Sequence, residues 1–334
     1  MGTVLKDIQE KNEQIEHVKT LVKKKAQRLE INKGSLRESP ISQGVLWKEK
    51  EFLHPERIVR IATMFSGIGA IEHAFQRLKL KHEIIFAGDI DEKCRQSYFA
   101  NYDIKPENWF TDARCFNATS YKGKVDLLVG GAPCQAFSMV GRRLGFEDAR
   151  GTLFYEFARV IKESKPKVFI FENVKGLINH DKGKTWQVMY SIFKELGYDV
   201  HYRILNAKDY GIPQHRERIF CVGFQNPTMF EYPAPISLEY CMYDFLEDYA
   251  YTKYFLKEKG IKFVTSHKNH EKSYTQINGD VALCQKRNQQ FNWHGDFVYH
   301  PQAIEEIPED DFDEFIFDVR DVEEKYYLSE KVAK

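Results

Sequence analysis

The sequence predicts an α/β protein with a doubly wound, mostly parallel sheet, and two observations carry this prediction. From residue 58 onward, short β-rich runs alternate with helical stretches, which indicates strands joined by crossover helices. Most of these runs are almost continuously apolar, as is typical of strands buried on both faces of a sheet. The runs are RIVRIATMF, HEIIFAGD, VDLLVGG, KVFIFENV, VHYRIL and RIFCVGF.

Three regions follow from the composition along the chain. Residues 1–57 are polar and lysine-rich with apolar residues at helical spacing, which predicts a helical extension, although its KTLVKKKAQR segment could instead contact nucleic-acid phosphates. Residues 58–228 hold the strand and helix alternation and form the main domain. In residues 229–334 the alternation breaks down, and the segment QKRNQQFNWHGDF within them could contact base edges or phosphates.

Two helices of the main domain have clear apolar faces. In residues 151–165 the apolar side chains recur at helical spacing, so this face belongs to the core. Its members are Leu153, Phe154, Phe157, Val160 and Ile161. The segment TWQVMYSIFKELG follows the same pattern and ends at a glycine, which is a common helix stop.

Bulk composition excludes several classes of protein. The chain of 334 residues has 49 Lys plus Arg and 49 Asp plus Glu, so its net charge argues neither for nor against a polyanionic partner. Its six cysteines form no CxxC pair, which predicts free thiols in a reducing compartment, the cytoplasm, and no metal site. No apolar run approaches the roughly 18 residues that a membrane-spanning helix needs.

The first predicted strand runs into a glycine-bearing turn, RIATMFSGIGA. Gly67 and Gly69 let the backbone approach a ligand at the carboxyl end of this strand, where open α/β sheets bind cofactors. Asp89 ends the next strand, 20 residues after Gly69, a spacing that suits contact with ribose hydroxyls. The entrance Phe65-Ser66 suits a ligand without pyrophosphate, such as S-adenosylmethionine. A dinucleotide and a purely structural turn remain alternatives.

Chemically reactive side chains lie near the ends of three other predicted strands. Cys134 comes after VDLLVGG and Glu172 lies at the end of KVFIFENV. Arg216 precedes RIFCVGF and Arg218 begins it, so the two arginines are two residues apart and lie on one face of the strand. Because the carboxyl ends of parallel strands meet at one edge, thiol, carboxylate and cofactor are expected to converge there. A thiolate that adds to carbon 6 of a pyrimidine activates carbon 5 for methylation, and a carboxylic acid at N3 stabilises the charge that this addition builds up.

The segment after the thiol, SMVGRRLGFED, predicts a loop that closes over DNA. Its small residues and glycines give mobility, and Arg142 and Arg143 suit phosphate contacts. The alternative is a surface loop with incidental arginines. Carbon 6 is inaccessible inside a duplex, so this chemistry requires a base swung out of the helix.

Four blocks in this order resemble the bacterial cytosine-5 DNA methyltransferases of restriction-modification systems over residues 58–226. They are FSGIGA, GGAPCQAFSMVGRRLGFEDARGTLF, FENVKG and LNAKDYGIPQHRERIF. The resemblance implies a Rossmann-like methyltransferase fold, double-stranded DNA as substrate, Cys134 as nucleophile and Glu172 as the acid on the cytosine edge. It implies that Asn173 positions the loop and that Arg216 and Arg218 support the active site.

The resemblance also implies the ligand contacts. The residues expected to bind S-adenosylmethionine are Phe65, Ser66, Gly67, Ile68, Gly69, Asp89, Ile90, Asp112, Ala113, Pro133 and Leu153, and those expected to bind DNA are Gln135, Ser138, Arg142 and Arg143. Ile90 stands where relatives often carry an aromatic residue.

The resemblance fades towards the end of the chain, where relatives carry a Gly-Asn-Ser-Val-like segment. No glycine here is followed by asparagine, so we expect either one subunit of a split enzyme, completed by a second polypeptide, or a truncated form. Two rival functions remain. This polypeptide could bind DNA or a partner without methylating by itself, or it could be a nicotinamide-dependent dehydrogenase.

Overall fold

The computed structural model describes residues 52–133, 153–246, 255–285 and 293–299 and the backbone of 328–329. These residues divide into two compact units. Of the described residues, the first unit, here called the sheet unit, contains 52–133, 153–209 and Glu217–Ile236, and the second, the small unit, contains Tyr210–Arg216 and those from Ser237 onward. The division at residues 57 and 228 stays a prediction.

A seven-stranded sheet forms the centre of the sheet unit. Its strands are β1 (Val59–Met64), β2 (His82–Gly88), β3 (Trp109–Phe110), β4 (Leu127–Gly130), β5 (Val168–Val174), β6 (Asp199–Asn206) and β7 (Glu217–Phe224). They lie in the order β3-β2-β1-β4-β5-β7-β6. Neighbours run parallel except β7, which is antiparallel to both β5 and β6. The predicted doubly wound, mostly parallel sheet is confirmed.

Five α-helices connect the strands within the described part of the sheet unit. They are α1 (Ala70–Arg77), α2 (Glu92–Asn101), α3 (Leu153–Ser164), α4 (Gly176–Asn179) and α5 (Lys184–Glu195). The strand order reverses direction between β1 and β4, and right-handed crossovers therefore place the connecting helices on opposite faces of the sheet. This reversal creates a crevice at the carboxyl ends of β1 and β4.

Aromatic rings make up much of the core between the sheet and α3 and α5. Phe154 and Phe157 of α3 are buried, as the apolar pattern predicts, while Leu153 is partly buried. Phe193 of α5 packs on Phe169 of β5, with ring centroids 4.6 Å apart. Burial of this kind stabilises the sheet unit by about 1.5–3 kcal/mol for each fully buried large side chain. The packed core holds the strands, and therefore their carboxyl ends, in fixed positions.

The small unit has its own sheet and core. Helices α6 (Glu258–Val264) and α7 (His267–Glu271) precede strand β8 (Thr275–Ile277), which runs parallel to β9 (Gly295–Tyr299), and β10 (Leu328–Ser329) pairs antiparallel with β9. Leu256, Val264 and Phe297 form a buried cluster. The sequence pattern did not predict these short elements, because strands of two to five residues carry little periodicity.

A buried carboxylate lies within the small unit. Asp296 of β9 is fully buried and accepts hydrogen bonds from the Leu283 backbone N–H at 3.0 and 2.9 Å and from Gln276 Nε2 at 3.0 Å. Burial raises the pKa of the Asp296 carboxyl to about 6, above its ordinary value of 3.8. The folded state therefore holds the Asp296 proton more tightly than the unfolded state does.

Because of Asp296, we expect the free energy of unfolding of the small unit to fall as the pH rises from about 4 to about 6. In that window the unfolded chain has lost the proton and the folded chain still binds it, so the free energy of unfolding falls by at most about 1.4 kcal/mol per pH unit. Urea unfolding of the protein and of Asp296→Asn at several pH values measures this. The difference in unfolding free energy between the two proteins should change across the window, and a constant difference would contradict the prediction.

Candidate active site

The carboxyl ends of the central parallel strands bring most of the predicted site residues to one edge of the sheet. Met64 at the end of β1 is in register with Gly130 at the end of β4, and Gly130 is in register with Phe171 of β5. The turn after β1, the segment Gly131–Pro133 after β4, and Glu172 therefore lie along the same edge. The turn and the carboxylate of the expected site therefore share one edge, while Cys134 lies outside the described residues.

The turn after β1 is hydrogen-bonded to the end of β2. The backbone N–H of Gly67 donates to Asp89 Oδ2 at 2.9 Å, and the Gly88 N–H donates to Ser66 Oγ at 3.0 Å. Asp89 Oδ1 accepts from the Asp91 N–H at 3.0 Å. The structure thus brings together three residues that the sequence assigns to cofactor binding, and it fixes the orientation of the Asp89 carboxylate.

The turn depends on left-handed backbone conformations. Phe65, Gly67 and Gly69 all have positive φ, with values of 56°, 56° and 89°. Gly69 caps the N-terminus of α1 and also packs against Tyr102, whose hydroxyl donates to the Gly69 carbonyl at 2.8 Å. A Cβ at Gly69 would lie 2.1 Å from Tyr102 Cε2. Glycine is therefore required at Gly69 both for its φ and for the close approach of the ring.

Gly69→Ala is expected to destabilise the sheet unit by about 2 to 4 kcal/mol, because the methyl group adds overpacking against Tyr102 to the strain of a positive φ. Gly67→Ala is the matched control. Its φ is also positive but its Cβ would meet nothing within 4 Å, so only about 1 kcal/mol is expected. Thermal unfolding of the ligand-free variants measures both, and equal losses would show that the contact with Tyr102 is unimportant.

Two large apolar side chains are exposed beside this turn. Ile68 is 64% exposed and Ile90 is 70% exposed, although each adjoins a residue of the Gly67–Asp89 hydrogen bond. Exposed apolar groups next to fixed polar groups are typical of ligand sites. Both positions therefore suit the predicted contact with a ligand that has an apolar or aromatic surface.

The segment after β3 holds two more predicted cofactor residues. Arg114 donates to both carboxylate oxygens of Asp112, with Nη2 and Oδ2 2.7 Å apart, and these hydrogen bonds lower the pKa of Asp112. The Ala113 carbonyl accepts from Arg159 Nη2 of α3 at 2.8 Å. Arg159 also forms ion pairs with Glu156 and Glu163. Arg159 is not among the predicted site residues, although its i−3 and i+4 spacing to two glutamates indicates a guanidinium held in place by ion pairs.

A further group of predicted site residues lies on β5 and β7. Arg218 Nε lies 3.0 Å from Glu172 Oε1, and both side chains are mostly buried. The antiparallel register, which pairs Val174 with Arg218 and Glu172 with Phe220, sets this distance. A Cβ at Gly131 would lie 3.0 Å from Glu172 Oε2, so the carboxylate adjoins the backbone three residues before Cys134. The structure thus brings Glu172 and Arg218 together.

Asn173 is hydrogen-bonded to the segment Gly131–Pro133 that follows β4. Its side chain is buried, Nδ2 donates to the Ala132 carbonyl at 2.8 Å, and Oδ1 accepts from the Val174 N–H at 2.9 Å. Ala132 is two residues before Cys134 in the sequence. A hydrogen bond to a buried carbonyl restrains the backbone, so Asn173 restrains the backbone that leads into the predicted nucleophile.

Several predicted site residues have no structural test here. Cys134, Gln135, Ser138, Arg142 and Arg143 lie outside the described residues. Arg216 belongs to the small unit, and its predicted pairing with Arg218 on one face stays a prediction. Within the described ranges, no group of three or more His, Cys, Asp or Glu side chains could hold a metal ion, and no helix is long and apolar enough to cross a membrane.

Comparison with known proteins shows the family to which this chain belongs. Residues 59–334 match the family described as C-5 cytosine-specific DNA methylase. The orphan methyltransferase M.SPRI of Bacillus phage SPR is 43% identical over 167 residues, which cover 50% of this chain and 38% of that protein. The type II methyltransferase M.HpaII of Haemophilus parainfluenzae is 38% identical over 247 residues, which cover 72% of this chain and 67% of that protein.

A solved structure shares the fold. A mutant of DNMT2 from Spodoptera frugiperda superposes with a TM-score of 0.58 at 19% sequence identity and covers 81% of this chain and 85% of that one. At this identity the likeness shows the fold alone. The chain spans about half the length of several curated relatives that it matches.

Proposed function

Because this chain belongs to the C-5 cytosine-specific DNA methylase family, we propose that it transfers the methyl group of S-adenosylmethionine to carbon 5 of cytosine in double-stranded DNA. The observation that carries this proposal is the Glu172–Arg218 ion pair, which lies beside the backbone leading to Cys134. We further propose a restriction-modification setting in the bacterial cytoplasm, in keeping with the type II relatives.

The residues at the sheet edge fit S-adenosylmethionine. Ile68 and Ile90 offer exposed apolar surface on either side of the hydrogen bond between Gly67 and Asp89, and the space around Gly67 is open. When bound, the cofactor supplies an electrophilic methyl group on a sulfonium. The residues proposed to hold it are Phe65, Ser66, Gly67, Ile68, Gly69, Asp89, Ile90, Asp112, Ala113, Pro133 and Leu153.

Chemistry at the cytosine begins with the Cys134 thiolate, which forms a bond to carbon 6 while the carbon 5–carbon 6 π electrons move to carbon 5. Glu172 donates a hydrogen bond or a proton at N3, and Arg218 holds its carboxyl group in place. Carbon 5 then takes the methyl group from the cofactor. Loss of the proton from carbon 5 to a base or water expels the Cys134 thiolate and restores the aromatic ring.

The DNA must present this cytosine outside the duplex. A flipped base exposes carbon 6 to the thiol, and its removal from the stack costs a few kcal/mol. We propose that Gln135, Ser138, Arg142 and Arg143 contact the DNA around the flipped base, with the two arginines on phosphates. Asn173 restrains the backbone at Ala132 and so limits the positions open to the residues that follow.

Of the two rival functions, one is excluded and the other stays open. Family membership excludes the nicotinamide-dependent dehydrogenase. Neither the described residues nor the relatives favour a split-enzyme subunit that is inactive alone, and that alternative stays a prediction.

A transfer assay tests the proposal. The purified chain is incubated with S-adenosylmethionine carrying a tritiated methyl group and with double-stranded DNA, and digestion to nucleosides should place the label in 5-methylcytosine. The same DNA with its cytosines already methylated at carbon 5 is the control and should take up none. Label in another nucleoside would contradict the proposal. Label that appears only after a second polypeptide is added would favour the split-subunit alternative.

A further inference from the structure

A buried carboxylate lies beneath the turn after β1. Glu72 is the one buried residue of α1, with no exposed surface. Its Oε1 accepts hydrogen bonds from Thr63 Oγ1 at 2.9 Å and from the Tyr98 hydroxyl at 2.7 Å. Its Oε2 has no hydrogen-bond partner among the described residues. A helix whose single buried side chain is a glutamate indicates a role other than packing, because apolar residues normally fill such positions.

Glu72 is connected directly to the predicted cofactor turn. Thr63 Oγ1, which donates to Glu72, is 2.8 Å from Ser66 Oγ, and the Ser66 hydroxyl is hydrogen-bonded to the backbone of Gly88 on β2. Glu72 is also the third residue of α1, the helix that Gly69 caps. The carboxylate therefore lies within the first turn of the helix, behind the turn formed by residues 65–69.

The charge of Glu72 has little compensation in the protein. Its two hydrogen-bond donors are neutral hydroxyls, and no Lys, Arg or His of the described part of the chain forms an ion pair with it. The helix N-terminus offers partial positive charge only. An isolated buried carboxylate is costly, and a cationic ligand bound at the adjacent turn would supply the charge that the described residues lack.

We infer that Glu72 is a positioning residue that strengthens the binding of cationic S-adenosylmethionine relative to the binding of its neutral-sulfur product. The inference rests on the proposed function, which places the cofactor at this turn. In the transfer, the bond between sulfur and the methyl carbon breaks and its electron pair stays on sulfur, so the sulfonium becomes a thioether. Substrate and product thus differ by one positive charge, and a buried carboxylate acts on that difference without touching the ligand.

Calorimetric titration of the full chain without DNA tests this inference. The ligands are S-adenosylmethionine, S-adenosylhomocysteine, and sinefungin, which carries a protonated amine in place of the methylsulfonium. Glu72→Gln keeps the Oε1 acceptor and removes the charge. We expect it to weaken both cationic ligands about tenfold while S-adenosylhomocysteine changes less than about twofold. Equal weakening of all three ligands would overturn the inference and leave Glu72 a structural residue.

Two further variants separate charge from structure. Tyr98→Phe removes one hydrogen bond to Glu72 and keeps the carboxylate, so it should leave the ratio of the S-adenosylmethionine and S-adenosylhomocysteine dissociation constants unchanged. Glu72→Met places an apolar side chain of similar length in the buried site, needs no partner there, and covers the case in which Glu72→Gln fails to fold. It should shift the ratio as Glu72→Gln does, and an unchanged ratio would overturn the inference. A wild-type chain that binds none of the ligands would instead contradict the proposed function.

Discussion

Cys134→Ala is expected to abolish methyl transfer and to abolish the covalent complex with DNA that contains 5-fluorocytosine. In the proposed mechanism, fluorine at carbon 5 cannot leave as a proton does, so the bond between Cys134 and carbon 6 would persist after methylation. Without the thiol, carbon 5 is too weak a nucleophile to take the methyl group. Denaturing gel electrophoresis of the protein with labelled DNA detects the complex as a slower band.

Cys115→Ala is the matched control for this experiment. Cys115 is exposed and follows β3 in the sheet unit, so its removal should leave both the covalent complex and the transfer rate unchanged. Cys221 is a poor candidate for the thiol, because it is fully buried on β7 and burial raises its pKa well above the ordinary range. A covalent complex that survives Cys134→Ala would exclude Cys134 as the nucleophile.

Glu172→Gln is expected to lower kcat for methyl transfer by about 10² to 10⁴-fold, the usual contribution of a positioned acid. Glutamine preserves the shape and an oxygen that faces Arg218, but it supplies no acidic proton to N3. The dissociation constant for S-adenosylmethionine should change little, since the turn after β1 and Asp89 hold the cofactor in our proposal. Single-turnover kinetics at saturating DNA measures the chemical step, and calorimetry measures cofactor binding.

Glu217→Gln provides the comparison for Glu172→Gln. Glu217 begins β7 next to Arg218, but its side chain is 44% exposed and pairs with Lys175, whose Nζ lies 2.8 Å from Oε1. An exposed ion pair contributes little, so this variant should keep kcat within about twofold. If Glu172→Gln and Glu217→Gln have equal kcat, the proposed role of Glu172 is wrong.

The amino-acid sequence already contains the information for the strands and for the cofactor turn. All six β-rich runs correspond to strands, because neighbouring residues alone provide the β-rich pattern of a strand. Gly67 and Gly69 mark the turn, since few other residues tolerate a positive φ there. Strand β3 was missed because its two residues are too few to form a pattern.

Strand direction and distant contacts needed the tertiary structure. The apolar run of β7 is compatible with either direction, and only its pairing with β5 and β6 shows that it is antiparallel. That pairing sets the contact between Arg218 and Glu172. Likewise, nothing local in the sequence separates Glu72 from an ordinary surface glutamate.

The sequence by itself thus determined the fold class, the family and the types of side chain at the sheet edge, because these depend on local patterns. The tertiary structure decided which side chains meet. Glu72 contacts Tyr98 across 26 residues and Asn173 contacts Ala132 across 41, and such contacts arise only when packing brings distant segments together. The physical reason is that hydrophobic periodicity is encoded by neighbouring residues, whereas burial of a polar group depends on the whole fold.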